Sequence, residues 1–193
     1  EEIGYRFELR RQMTETFSGA VSVHASKRDG SAWLRPNPFT GVTEVTDPAT
    51  QLSASAVYAP NLADRKRDKV KVYGAWQATE ALSLQVAVEN GKDRFDTPSG
   101  YSLRDTRMDL YSLDATYVIN DEWSVGAYYT ESKQKLNQIR PQGYVLAYDN
   151  KNATAGVNVN GKVSEQLEVG GSIGWIDDRS VYAQSLDAGA SNQ

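Results

Sequence analysis

A chain of 193 residues with 39% hydrophobic residues and a mean hydropathy of −0.58 is long enough for one sizeable domain, yet no run approaches the roughly 20 apolar residues of a spanning helix. A net charge of −4 gives no broad basic footprint for nucleic acid. With no cysteine and one histidine, His24, the chain lacks thiolate chemistry, disulfides, covalent haem attachment and a histidine-rich metal cluster, while 11 Tyr, 4 Trp and 15 Gly favour strands and turns.

Alternation begins near the start. Tyr5, Phe7 and Leu9 share one face, and after Thr14 and Glu15 a second run places Phe17, Gly19, Val21, Val23 and Ala25 together with His24 opposite. A long break follows at about 28–67. Pro36, Pro38 and Pro48 argue against a continuous central strand there, while VTEV and SASAVY suggest a short accessory hairpin. A connection of this length covers a pore mouth, docks a protein or is a surface excursion. Its end, Arg65 to Lys69, is a charged strand entrance suited to anionic headgroups, to a protein surface, or simply to discouraging stray sheet pairing.

The clearest alternation is the second hairpin around ATE, with Val70, Val72, Gly74 and Trp76 before it and Leu82, Leu84, Val86 and Val88 after it. A loop is expected at 94–107. Leu113, Ala115 and Tyr117, then Trp123, Val125, Ala127 and Tyr129, form a third hairpin around Asn120 and Asp121. After a loop expected at 134–149, Ala153, Ala155, Val157 and Val159 pair with Leu167, Val169, Gly171, Ile173 and Trp175 around Ser164 and Glu165. Eight strands result. The short turns repeat a pattern: TETFS at 14–18, TEALS at 79–83, NDEWS at 120–124 and SEQLE at 164–168.

Short turns at one edge and long loops at the other fit an outer-membrane β-barrel, one face meeting lipid and the other a polar lumen. The lumenal set would include Lys69, Lys71, Gln85, Glu89, Asp114, Thr116, Thr154, Asn158, Asn160 and Glu168. Trp76, Tyr117 and Trp123 lie close to the short turns, where an interfacial belt is expected. A soluble antiparallel sandwich alternates in the same way, and would bury Val70, Val72, Leu82, Leu84, Val125, Val157 and Val169 in a protein core.

No catalytic constellation stands out, and no catalytic, cofactor-binding or metal-binding residue is assigned. His24 has Ser22 and Ser26 nearby but no acid–base–nucleophile arrangement. Asp93 with Asp96, or Asp177 with Asp178, offer oxygen ligands without a complete calcium loop. Gly170, Gly171 and Ser172 sit in an alternating strand, which suits close packing better than phosphate binding.

The runs NPFTGVTEV, DRKRDKVKVYGAWQATEALSLQ, LRDTRMDLYSLDATYVINDEWSVGAYYTES and GKVSEQLEVGGSIGWIDD, in this order and spacing, resemble the MtrB/PioB family of decahaem-associated outer-membrane β-barrel proteins over about residues 36–188. The resemblance implies an all-β transmembrane antiparallel barrel in the bacterial outer membrane. It implies a porin-like sheath around a periplasmic multihaem c-type cytochrome, sometimes also touching an extracellular one, with outer-membrane lipid outside. Electrons would cross through the partner's haems, the barrel carrying no cofactor and no enzymatic activity. Family barrels have many more strands than the eight counted, and the end SVYAQSLDAGASNQ reads as the start of another loop, so residues 1–193 are expected to be a partial barrel domain. Closed alone, eight strands would enclose only side chains. A passive outer-membrane porin or a soluble β-rich binding module are the alternative functions.

Overall fold

The computed structural model describes residues 1–31, 34–36, 43–46, 53–54, 62–96, 102–139 and 144–186. Its strands, in chain order, are β1 (Glu2–Gln12), β2 (Phe17–Arg28), β3 (Leu34–Pro36), β4 (Thr43–Thr46), β5 (Ser53–Ala54), β6 (Asp64–Gln77), β7 (Leu82–Asp96), β8 (Ser102–Val118), β9 (Trp123–Ile139), β10 (Tyr144–Ser164) and β11 (Leu167–Leu186). Eight of them form one antiparallel sheet in the order β1-β2-β6-β7-β8-β9-β10-β11. Among the described residues β1 pairs only with β2 and β11 only with β10, so the sheet is open at both edges.

The small sheet β3-β4-β5 interrupts the meander between β2 and β6. β4 and β5 form the hairpin expected from VTEV and the start of SASAVY, and Pro36 ends the edge strand β3 opposite Thr43. Pro38, Pro48 and the remainder of SASAVY lie outside the described residues.

The strands are longer than the alternation indicates, and this corrects three expected loops. β7 runs to Asp96 and β8 starts at Ser102, so most of 94–107 is strand; β9 runs to Ile139 and β10 starts at Tyr144, so most of 134–149 is strand too. SVYAQS at 180–185 is likewise paired, opposite Val145 to Asn150, and does not open a loop. Only one face of a strand is apolar where it meets lipid. Past that zone polar and apolar residues mix on both faces, with Leu136, Leu146 and Tyr148 on one and Ile139 and Val145 on the other, and the period-2 signal disappears although the ladder continues.

The repeated turn has a common mechanism. In the first three turns the leading Thr14, Thr79 or Asn120 side chain accepts a hydrogen bond from the backbone N–H three residues on, at Phe17 (3.0 Å), Leu82 (3.0 Å) and Trp123 (2.8 Å). The carbonyl of that same apolar residue accepts from the backbone N–H of Met13, Ala78 and Ile119, each at 2.9 Å, to close the strand ends. Short polar side chains that bond their own backbone in this way define Asx- and Ser/Thr-turns. Gln12 and Gln77 brace the first two turns, each donating its amide to the following Thr14 or Thr79 carbonyl. The fourth turn departs from the pattern: Ser164 pairs directly with Leu167, and a register shift between Lys162 and Ser164 absorbs the difference.

Glycines let large side chains lie across neighbouring strands. A Cβ on Gly161 would stand 2.2 Å from the Trp123 ring, and one on Gly156 2.6 Å from the Tyr128 ring, whereas Gly171 has open space. Rings resting on opposed glycines fill the groove that the missing side chain leaves and help fix register. We expect Gly161→Val to destabilise the detergent-folded protein by about 1–3 kcal/mol, by forcing the indole off its seat. Denaturant unfolding followed by tryptophan fluorescence checks this, with Gly171→Val showing a much smaller loss.

Candidate functional site: the two faces of the wall

Directly opposed residues point to one side of a sheet, so the register assigns every side chain to a face. One face gathers Val21, Val72, Val88 and Tyr111 in a single cross-strand row, with Val86, Leu113, Tyr129 and Ala155 in the next. Among the described residues no second layer covers it. Val72 is 48% exposed, Leu113 45% and Ile173 76%, and the buried hydrophobics among the described residues are only Ala63, Leu103, Leu146 and Ala153. The sandwich alternative is therefore corrected: Val70, Val72, Val157 and Val169 remain exposed instead of entering a core. An apolar surface this continuous marks a lipid or protein interface.

The apolar segment is confined to part of each strand, for instance Leu82–Val88 on β7 and Trp123–Tyr129 on β9, about 20 Å along the strand. Aromatic side chains border it on both sides. Phe17, Trp76, Tyr117 and Trp123 lie at the short-turn border, and Tyr111, Tyr129 and Trp175 at the other. Tyr129 donates its hydroxyl to Glu131 at 2.8 Å, with its ring against the apolar zone and its polar end beyond it. Paired girdles about an outward apolar band are the mark of a transmembrane barrel. Trp76, Tyr117 and Trp123, the aromatics expected at an interface from the sequence, lie at the short-turn border; at the other, Tyr129 and Trp175 end their alternating runs and Tyr111 precedes its own, so no second border was anticipated.

A family model described as outer membrane beta-barrel porin, MtrB/PioB, matches residues 1–193. The chain belongs to the MtrB/PioB family. No curated protein matches it. It is an outer-membrane protein, and its open antiparallel sheet is a portion of a β-barrel wall. As a member of a porin family it has a structural, porin-type role.

The opposite face of this MtrB/PioB wall is the lumenal one. Lys69, Lys71, Gln85, Glu89, Asp114, Thr116, Thr154, Asn158, Asn160 and Glu168 all fall on it, as their alternation indicates. Its character changes across the sheet. On β1, β2 and β6 it is crowded with Arg6, Arg10, Arg28, Arg65, Arg67, Lys69 and Lys71, partly matched by Glu2, Glu8, Asp93 and Glu89. Arg67 grips Asp93 through two bonds of 2.7 and 2.6 Å, Lys69 pairs with Glu89, and Glu8 bridges Arg6 and Arg10. On β9 and β10 the same face carries Ser124, Gly126, Thr130, Asn152, Asn158 and Asn160 beside the larger Tyr128 and Tyr148, and charge is sparse. Outside the span, the Lys27 ammonium 2.9 Å away holds the Asp29 carboxyl below its ordinary range.

The weaker sequence candidates separate. Asp93 faces the lumen and Asp96 the outside, and Asp177 and Asp178 also point to opposite faces, so neither pair converges on one cation. His24 lies in the lumenal row between Arg6 and Lys69, and the Ser26 hydroxyl donates to Glu2, itself paired with Arg65. No group of His, Asp and Glu arranged to hold a metal ion occurs among the described residues.

Substitutions on adjacent residues separate the faces. Leu113→Arg places a charge in the apolar band and is expected to cost about 2–4 kcal/mol of membrane-folded stability. Ser112→Arg, one residue away on the lumenal face, should change it little. Urea unfolding from lipid vesicles, read by intrinsic fluorescence, measures both.

Proposed function

We propose that this wall is part of a porin-like sheath holding a multihaem c-type cytochrome across the outer membrane, so that electrons cross through the partner's haems. The observation that carries the reading is the lumenal face. It carries cross-strand charge pairs such as Arg67 with Asp93 on one side and mostly uncharged residues over β9 and β10, where Tyr128 lies over Gly156 and Asn158 over Gly126. A protein can seat against such a surface through hydrogen bonds and charge pairs, while the outward face stays in lipid.

In this reading the barrel supplies alignment and insulation. It excludes ions and water from the haem path and keeps the redox centres at fixed spacing, while the chemistry belongs to the haem-bearing partner. The chain's own side chains orient that partner and carry out no catalysis. A second, extracellular multihaem cytochrome would meet the long-connection end of the wall.

The test is extraction of the native complex from membranes, with native mass spectrometry and haem absorbance recorded on the same species, followed by reconstitution into vesicles enclosing an electron acceptor. A haem-containing complex that reduces the enclosed acceptor, with little ion leak, is the expected result. A haem-free species that conducts ions would overturn the sheath reading in favour of a passive porin.

A further inference from the structure

Beyond the upper aromatic border, the outward face holds an arrangement that sheet packing alone disfavours. Lys27, Lys66 and Arg94 stand directly opposite one another across β2, β6 and β7. Lys92, Arg107 and Lys135 do so across β7, β8 and β9, and Lys133, Lys151 and Arg179 across β9, β10 and β11. Like charges directly opposite one another destabilise a sheet. Each triplet begins on the strand where the previous one ended, two residues nearer the short turns, so the cations descend as a staircase.

The upper limit of the apolar band descends with them, from Ala25 on β2 through Val88 on β7 to Trp175 on β11. On these strands the nearest cation comes two to four residues past the last apolar side chain, about 7–14 Å further along the strand. Because barrel strands are tilted, a line that steps down from strand to strand is level with the membrane surface. The nine cations therefore stand at one height, where hydrocarbon gives way to headgroups.

Carboxylates offset part of this charge. Asp29 lies 2.9 Å from Lys27, Asp68 3.7 Å from Arg94, Asp149 3.0 Å from Lys135, Asp177 2.9 Å from Arg179, and Glu131 joins Lys133 and Lys151 at 3.2 and 2.9 Å. Among the described residues, Lys66, Lys92 and Arg107 form no ion pair. They sit on three adjacent strands, Lys92 in one row between Arg107 and Asp68, which reaches Arg94 at 3.7 Å, and Lys66 diagonal to Lys92.

We propose that Lys66, Lys92 and Arg107 form a site on the outer wall for the phosphate of a phosphorylated lipid headgroup, continued on either side by the paired cations as a weaker belt. An anion between Lys92 and Arg107 turns their opposition into a shared attraction. The guanidinium fork matches phosphate oxygens, and the two lysine stems lie along the wall with their ammonium groups at headgroup depth. Lipid is the occupant because the site continues the lipid-facing band at a constant height, on the face away from the lumen. It also lies on an open wall, where a free phosphate would be held only by screened charges.

The experiment compares lipid retention by the detergent-extracted protein, read by native mass spectrometry after exchange into phosphatidylglycerol or phosphatidylcholine. Retention of phosphatidylglycerol should weaken roughly fivefold for each cation removed in Lys92→Gln and Arg107→Gln, and more in the triple variant with Lys66→Gln. Lys162→Gln, the same charge change at the short-turn end, should retain it normally. Inorganic phosphate should fail to displace the lipid, and added salt should release it from the unsubstituted protein. Unchanged retention in the triple variant, an equal loss in Lys162→Gln, or displacement by inorganic phosphate at comparable concentration would overturn the proposal. If the triple variant does not fold, salt-insensitive retention by the unsubstituted protein overturns it alone.

Discussion

Within hydrocarbon no water can satisfy a backbone N–H or C=O, and each group left unpaired costs several kcal/mol. The antiparallel sheet meets this constraint for β2, β6, β7, β8, β9 and β10, each paired on both sides, and the rest of the structure follows from it. A fully paired strand has only two faces. With no second layer over either among the described residues, one must suit lipid and the other water or a polar partner. The outward row through Val72, Val88 and Tyr111 and the lumenal row through Lys71, Glu89 and Leu110 are products of one register.

The strands also exceed what the bilayer asks of them. About 9–11 tilted residues cross the hydrocarbon, whereas β8 and β9 have 17 residues each and β10 has 21. The extra length rises above the apolar band on the side of the long connections, and the outward face changes there from Val and Leu to Lys, Arg, Asp and Glu. One wall thus has three zones: turns capped by Thr14, Thr79 and Asn120, a lipid band bordered by aromatic rings, and a charged extension. Its lumenal face runs through all three.

Much of this was legible in the sequence. Strand existence and facing could be read at 70–76 and 82–88 because an all-apolar outward set leaves an unmistakable period of two. The turn repeat was legible as a pattern, and its cause emerges from the side-chain acceptors of Thr14, Thr79 and Asn120. Strand ends were misjudged at Arg94, Gln134 and Ser180 because polar and apolar residues mix there on both faces, as with Leu136 opposite Tyr148 and Ile139 opposite Val145, so no period of two is visible. The cation triplets were out of reach, since Lys92, Arg107 and Lys135 are far apart in sequence and meet only through register. The charged entrance at 65–69 was read as one unit, whereas the strand divides it: Arg65, Arg67 and Lys69 face the lumen, and Lys66 and Asp68 face out.

The central claim is that one face of this sheet meets lipid and the other an aqueous or protein-filled lumen. The chain contains no cysteine, so single cysteines at Leu84, Gln85, Val86, Ala87 and Val88 can be labelled without background. In reconstituted vesicles without a lumenal partner, positions 85 and 87 should react with a water-soluble maleimide. Fluorophores at 84, 86 and 88 should instead be quenched by nitroxide-bearing lipid. Equal aqueous reactivity along the run, or the opposite alternation, would contradict the account.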